Sequence, residues 1–207
     1  MEPTLDESRP VGKYLPVGYA KGRAKRRDIL DQATALFGEA GYRGTSLREI
    51  AARCGISHPG LLHHFPTKQS LLLAVLELRD EVDAEWITLG APRGAAALRR
   101  LVDLVRLNAT RRGIVELFTV LSAEATAADH PAHAYFVNRY RTLVRDLETA
   151  YTEACADGDL RPEVEPALAA RELVALMDGL QIQWLLDDTS VDMDAAIGAH
   201  LSTQLTP

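Results

Sequence analysis

The feature that most constrains this chain is the stretch from Ser46 to Phe65, SLREIAARCGISHPGLLHHF. Ser46 and Glu49 have the S-x-x-E spacing of a capping box, in which two side chains satisfy amide donors that a helix start leaves without partners. Leu47, Ile50, Ala51 and Cys54 then fall at i, i+3, i+4 and i+7, one apolar helix face. Gly55 stands where a helix end calls for a left-handed residue, a conformation glycine adopts without Cβ strain. Ser57 is placed to cap a second helix, and Pro59 is tolerated in its first turn, where amides lack intrahelical partners anyway. Pro66 ends that helix at Phe65. Two short helices across a glycine turn form the helix-turn-helix pattern, whose second helix enters the DNA major groove. An ordinary pair of packed helices shares part of the pattern.

The flanking residues narrow the choice. Phe37, Gly41-Tyr42, Thr45, Ile50-Ala51, Gly55-Ile56-Ser57, Leu61, His64-Phe65, Lys68 and Leu71-Leu72 together resemble the DNA-binding domain of the TetR family of transcriptional regulators. The resemblance is dense from Ile29 to Leu76 and general beyond. Where the family usually carries a tyrosine that touches phosphate, this chain has Leu62, which brings no hydroxyl.

Charge is divided along the chain in the same way. The net charge of −6 conceals ten basic and five acidic residues over 21–79, against eleven basic and twenty-one acidic over 80–207. A basic module on an acidic body suits a protein that places one end on phosphate. Residues 1–20, with Pro3, Pro10 and Pro16, read as a flexible arm. The five positive charges between Lys21 and Arg27 either reach phosphate or the minor groove from that arm, or form a solvated basic helix start.

With 47% hydrophobic residues, only 6% aromatic and many alanines and leucines, the chain can bury a sizeable core and favours helices. The fold class is all-α with about nine helices. An N-terminal arm (1–20) precedes a three-helix helix-turn-helix DNA-binding domain (21–79) and a helical effector-binding and dimerisation domain (80–207). In the head, Ile29, Ala33, Leu36, Phe37 and Ala40 give a first helix that Gly41 ends. A helix from Thr67 to about Leu89 connects head to body and is the physical route between them. The body reads as helices over 95–109, 113–125, 132–156, 166–186 and 194–205, with no strand and no repeat. No apolar run reaches the ~18 residues of a membrane span. Cys54 and Cys155 are too few for a disulfide framework, so a reduced cytoplasmic protein is the simplest reading.

The helix opened by Pro166 carries two apolar stripes. Leu173, Leu176, Met177, Leu180 and Trp184 lie on one side, and Leu168, Ala175, Gly179, Ile182 and Leu186 on nearly the opposite one. A second stripe implies a second packing partner, and a two-fold mate is the favoured one because palindromic operators call for dimers. The resemblance implies dimerisation through the last two long helices, which adds Ile197 and Leu201.

For DNA, base-edge candidates are Ser57, His58, Pro59, Gly60 and His63, with His64 either structural or in contact. Phosphate candidates are Thr45, Arg48 and Lys68, with Arg43 as a further loop charge. The resemblance further implies a small-molecule effector pocket, for which Trp86, Arg106, Phe118, Leu121, Phe136, Tyr140, Met177 and Trp184 offer an apolar lining with a few polar groups. The acidic body favours a neutral or cationic effector. No metal site is predicted: His63 and His64 diverge by about 100° on a helix and Cys54 holds a core position. No cofactor is expected. No nucleophile elbow, P-loop or dinucleotide fingerprint occurs, which argues against an enzyme. The reading is a ligand-released regulator, more often a repressor, that binds a palindromic double-stranded operator as a homodimer without membrane attachment. A helical adaptor is the alternative.

Overall fold

The computed structural model describes residues 17–206 except Leu89 and Ala91, with side chains described outside 17–21 and 82–88. The described residues form nine helices: α1 (Val17–Gly44), α2 (Leu47–Arg53), α3 (His58–His64), α4 (Lys68–Thr88), α5 (Gly94–Ala109), α6 (Arg112–Glu124), α7 (His133–Ala156), α8 (Pro166–Leu186) and α9 (Met193–Gln204). An isolated antiparallel bridge between Leu160 and Leu205 ties the end of the chain to the loop after α7. None of the described helices is long and apolar enough to cross a membrane.

The arm expected over 1–20 lies outside the described residues as far as residue 16, and the next four residues are already helical. The basic stretch is therefore part of α1 and not an extension before it. Much of its charge is engaged within the head. Lys25 bonds Asp28 and the carbonyl of Cys54, Arg26 lies 4.8 Å over the Phe65 ring, and Arg27 pairs with Asp31. The contacts to Cys54 and Phe65 stitch α1 to the ends of α2 and α3.

Gly41 breaks α1. Its φ of 70° is left-handed, and a Cβ there would strike the carboxylate of Glu124. The head core joins Ile29, Phe37, Ile50, Leu61, Phe65 and Leu72 from α1 to α4, all fully or almost fully buried. That core does not stop at the sequence boundary near residue 80. Leu117, Leu121, Ala125, Ala132 and Phe136 continue it into α6 and α7. Backbone meets backbone at Gly38, where a Cβ would lie 3.2 Å from the Leu117 amide nitrogen and 3.3 Å from the Gly113 carbonyl. Thus α1 is laid along α6, and the head is coupled to the body through that pair as well as through α4.

The second core belongs to α5, α7, α8 and α9. Of the two stripes on α8, the one with Leu173, Leu180 and Trp184 is buried in it. The other faces outward, with Leu168 55%, Ile182 50% and Leu186 83% exposed, and with Ala175 exposed between them. Ile197 and Leu201 were expected on the same outer surface. They are instead buried against α5 and α8, because α9 has one apolar face and the chain's own core takes it. What α9 shows outward is small: Ala195, Ala199 and Ser202.

Candidate nucleic-acid interface and ligand cavity

The two short helices are set by local chemistry. The Ser46 side chain accepts the Glu49 amide, and the Ser57 side chain accepts the Gly60 amide, each at 3.2 Å. Between them Gly55 takes φ 64°, and the Ile56 amide reaches back to the Ala51 carbonyl. Ile50, Ala51 and Leu61 face inward, which leaves the other side of α3 open. On that side His63 and Pro59 are exposed, while His58, Gly60 and His64 are half-buried. The rings of His63 and His64 meet edge to face at 5.7 Å. Arg48 is exposed on α2. Arg43 is largely solvated and lies 3.8 Å from Asp129.

One phosphate candidate, Thr45, stands differently from expectation. Thr45 is 2% exposed, and its hydroxyl donates toward the carbonyls of Leu36 and Gly41, both at 2.9 Å. It closes the kinked end of α1 and has no free face for DNA, so it leaves the set of contact residues. Lys68 opens α4 with its ammonium 4.4 Å over the Tyr42 ring. Burial pulls its pKa down, with Glu124 acting in the opposite direction.

Tyr42 is also where the head meets the body. Its amide donates to Glu124 Oε2 at 2.8 Å, and its ring meets His130 edge-on at 5.1 Å. His130 is buried, its Nδ1 accepts the Ala132 amide, and its Nε2 lies 3.6 Å from Glu124. Burial lowers the His130 pKa, opposed by Glu124 and Asp129 and assisted by Arg43.

The body holds a half-open cavity of about 770 Å³ among α4, α5, α6, α7 and α8. Phe118, Phe136, Tyr140 and Met177 line it, as does Ile182 from the outward stripe. Four expected lining residues do not contribute a described wall. Leu121 faces α1 within the head core, because α6 has an apolar residue on each side. Trp184 is packed in the body core under the guanidinium of Arg112, at 5.1 Å. Arg106 points to the surface, paired with Asp103 and Asp194. The Trp86 side chain lies outside the described residues.

Sequence reasoning overlooked the groups at the α4 side of the cavity: Arg79, Asp80, Tyr135 and Arg139. Asp80 accepts both Tyr135 and Arg139. Arg79 bonds the amide oxygen of Asn108 at 3.0 Å, an oxygen that also receives Arg111 at 3.1 Å. Burial first, then the like charges of Arg111 and Arg139, pull the Arg79 pKa down to about 9. On α8, Asp178 accepts the Tyr140 hydroxyl at 2.9 Å. Burial raises the Asp178 pKa against the lowering effects of Tyr140 and Arg139, and burial pushes Tyr140 up to about 12. The signal was present in the spacing. Arg79 follows Leu72 and Leu76 on an inward face, and Arg139 sits between Phe136 and Tyr140 at i+3.

Residues 29–75 match the bacterial regulatory proteins of the tetR family, and residues 94–206 match the C-terminal domain of BetI-type transcriptional repressors. The chain is 26% identical to the HTH-type transcriptional repressor KstR2 of Rhodococcus jostii, over 92% of this chain and 94% of that protein. It is 31% identical to the HTH-type transcriptional activator FasR of Mycolicibacterium smegmatis, over 92% of this chain and 86% of that one. Among solved structures, a transcriptional regulator from Saccharomonospora viridis in complex with choline superposes with a TM-score of 0.66, at 24% identity, over 89% of this chain and all of the other.

Proposed function

Since this chain belongs to the TetR family and is a DNA-binding transcriptional regulator, not an enzyme, we propose that it represses transcription as a homodimer on a palindromic operator and is released when a small molecule fills the body cavity. One observation carries the reading: α6 has the head on one side and the cavity on the other. Gly38 of α1 lies against Gly113 and Leu117 of α6, whose Leu121 joins the head core, while its Phe118 and Ser122 line the cavity. A ligand that displaces α6 therefore moves α1 and the recognition helix with it. It shifts the population toward head spacings that do not fit both half-sites.

The outward stripe of α8 supports the dimer. Leu168, Ile182 and Leu186 form an apolar face that this chain leaves uncovered, and the small residues Ala175 and Gly179 between them permit a close helix approach. The base-contacting set is His58, Pro59, Gly60, His63 and His64, with Arg43, Arg48, Ser57 and Lys68 around it on the backbone. Repression is favoured by the match of the body to BetI-type repressors. The relatives include an activator as well, so the direction of control is part of the test.

The test is binding of the dimer to DNA carrying the inverted repeat nearest its own gene, followed by fluorescence anisotropy, and a reporter driven from that DNA. Nanomolar affinity that falls steeply with salt, with reporter output rising when the gene is deleted, is the expected result. Affinity that does not distinguish the repeat from a scrambled duplex refutes the operator reading, and output that falls on deletion makes the protein an activator.

A further inference from the structure

If the cavity is the effector site, as proposed above, its wall selects for a class of ligand. Phe118, Phe136, Leu104 and Met177 make much of that wall apolar, and the volume suits a sizeable organic molecule. The α7 side differs. Arg139 lies 4.6 Å from the centroid of the Phe118 ring, and only its Nη1 is engaged by a carboxylate, that of Asp80. Its Nε and Nη2 hydrogen-bond to no described residue, and neither is sealed from solvent. The side chain keeps 27% exposure, and the residue lines the cavity. A guanidinium with a free Nε–Nη2 edge presents two parallel N–H donors, the geometry that a carboxylate accepts with both oxygens.

We propose that the effector is an apolar molecule ending in a carboxylate, with its body against Phe118, Phe136 and Met177 and its carboxylate on the Nε–Nη2 edge of Arg139. Arg79, 5.5 Å from the same Phe118 ring, adds positive potential at that end. The acids on the wall oppose this less than their number suggests. Asp80 is held by Tyr135 and Arg139, Asp146 pairs with Arg145, and Asp178 accepts the Tyr140 hydroxyl. The net acidity of residues 80–207 had pointed to a neutral or cationic effector. That charge belongs to the whole surface, whereas a ligand in the cavity meets the groups on its wall.

Three probes with one chain and different ends decide the matter: decanoate, decan-1-ol and decylamine. They are titrated calorimetrically into the full-length dimer near neutral pH. Decanoate is expected to bind at least about tenfold more tightly than decan-1-ol, or ~1.4 kcal/mol, and Arg139→Gln is expected to abolish the difference. The double variant Asp80→Asn/Arg139→Gln, which leaves no carboxylate without its cation, must give the same loss. It carries the test if the single variant loses helix content by circular dichroism. Equal affinity for decan-1-ol overturns the proposal, as does binding of none of the three below about 200 µM. Tightest binding of decylamine, lost in Asp178→Asn, also overturns it and assigns recognition to Asp178. Operator binding without any probe is measured in parallel. Its absence refutes the regulator reading alone, and Arg139-dependent decanoate binding that leaves the operator bound refutes the effector role while the ligand class stands.

Discussion

Replacing Thr45 with valine removes one hydroxyl and little else. The two side chains have nearly the same volume and branching, but valine brings no donor. The hydroxyl is buried and lies 2.9 Å from the carbonyls of Leu36 and Gly41, on either side of the bend that ends α1. Losing one such bond costs about 0.5–1.5 kcal/mol, and a buried carbonyl left short of a donor brings the total to roughly 1–3 kcal/mol. In a chain of this size each kcal/mol lowers the melting temperature by about 2–4 °C. Urea denaturation should therefore show a lower midpoint with an unchanged slope. Operator affinity, measured by anisotropy well below the unfolding transition, should stay within about twofold, because the hydroxyl offers DNA nothing. Had Thr45 been a phosphate ligand, the effects would be reversed: stability near that of the parent and affinity reduced by about fivefold, or ~1 kcal/mol, on every duplex. That second pattern would refute the assignment of Thr45 as a structural lock.

Gly179→Leu tests the dimer face: a Cβ at Gly179 meets nothing within 4 Å in a single chain, so any loss of assembly reports a second chain. Light scattering should show monomers with weakened operator binding, and an unaltered dimer removes this stripe from the interface. His130 sets a pH dependence. Burial depresses its folded pKa below 6.5, and Nδ1 already accepts the Ala132 amide, so the folded protein resists a proton that the unfolded chain takes up. Its contribution is present above about pH 6.5 and is lost as pH falls toward the depressed value, by up to ~1.4 kcal/mol per pH unit. Urea titrations of His130→Gln should show a shallower loss than the parent over that window, and identical curves refute the argument. Lys68→Ala should weaken binding to all duplexes and reduce the salt slope by about one unit; an unchanged slope means that the lysine serves Tyr42 alone.

Much of this architecture follows from the order of residues alone. The capping of α2 and α3, the glycine between them and the extent of α8 rest on interactions reaching three or four residues along the chain. The bounds of α8 match the expected 166–186, since Pro166 starts it and an uninterrupted apolar pattern carries it. Both stripes of α8 were readable too, because helical periodicity is a local property. What periodicity leaves open is what each stripe packs against. Leu121 and Phe118 are three residues apart on α6, yet one serves the joint with α1 and the other the cavity. Ile197 and Leu201 went to the chain's own core, while Leu186 stayed uncovered. Thr45 was expected to hold phosphate, but the bend at Gly41 brought two carbonyls to its hydroxyl. Arg106 and Arg139 are alike as residues. One is a surface ion pair and the other a cavity wall, because Asp194 approaches the first, and Asp80 and Phe118 the second, from distant parts of the chain. The sequence by itself determined where helices begin, end and turn apolar, because those choices are made between near neighbours. The tertiary structure alone decided which faces meet, which polar groups are shut in together and where space is left, because those outcomes depend on residues that only folding brings within a few ångströms.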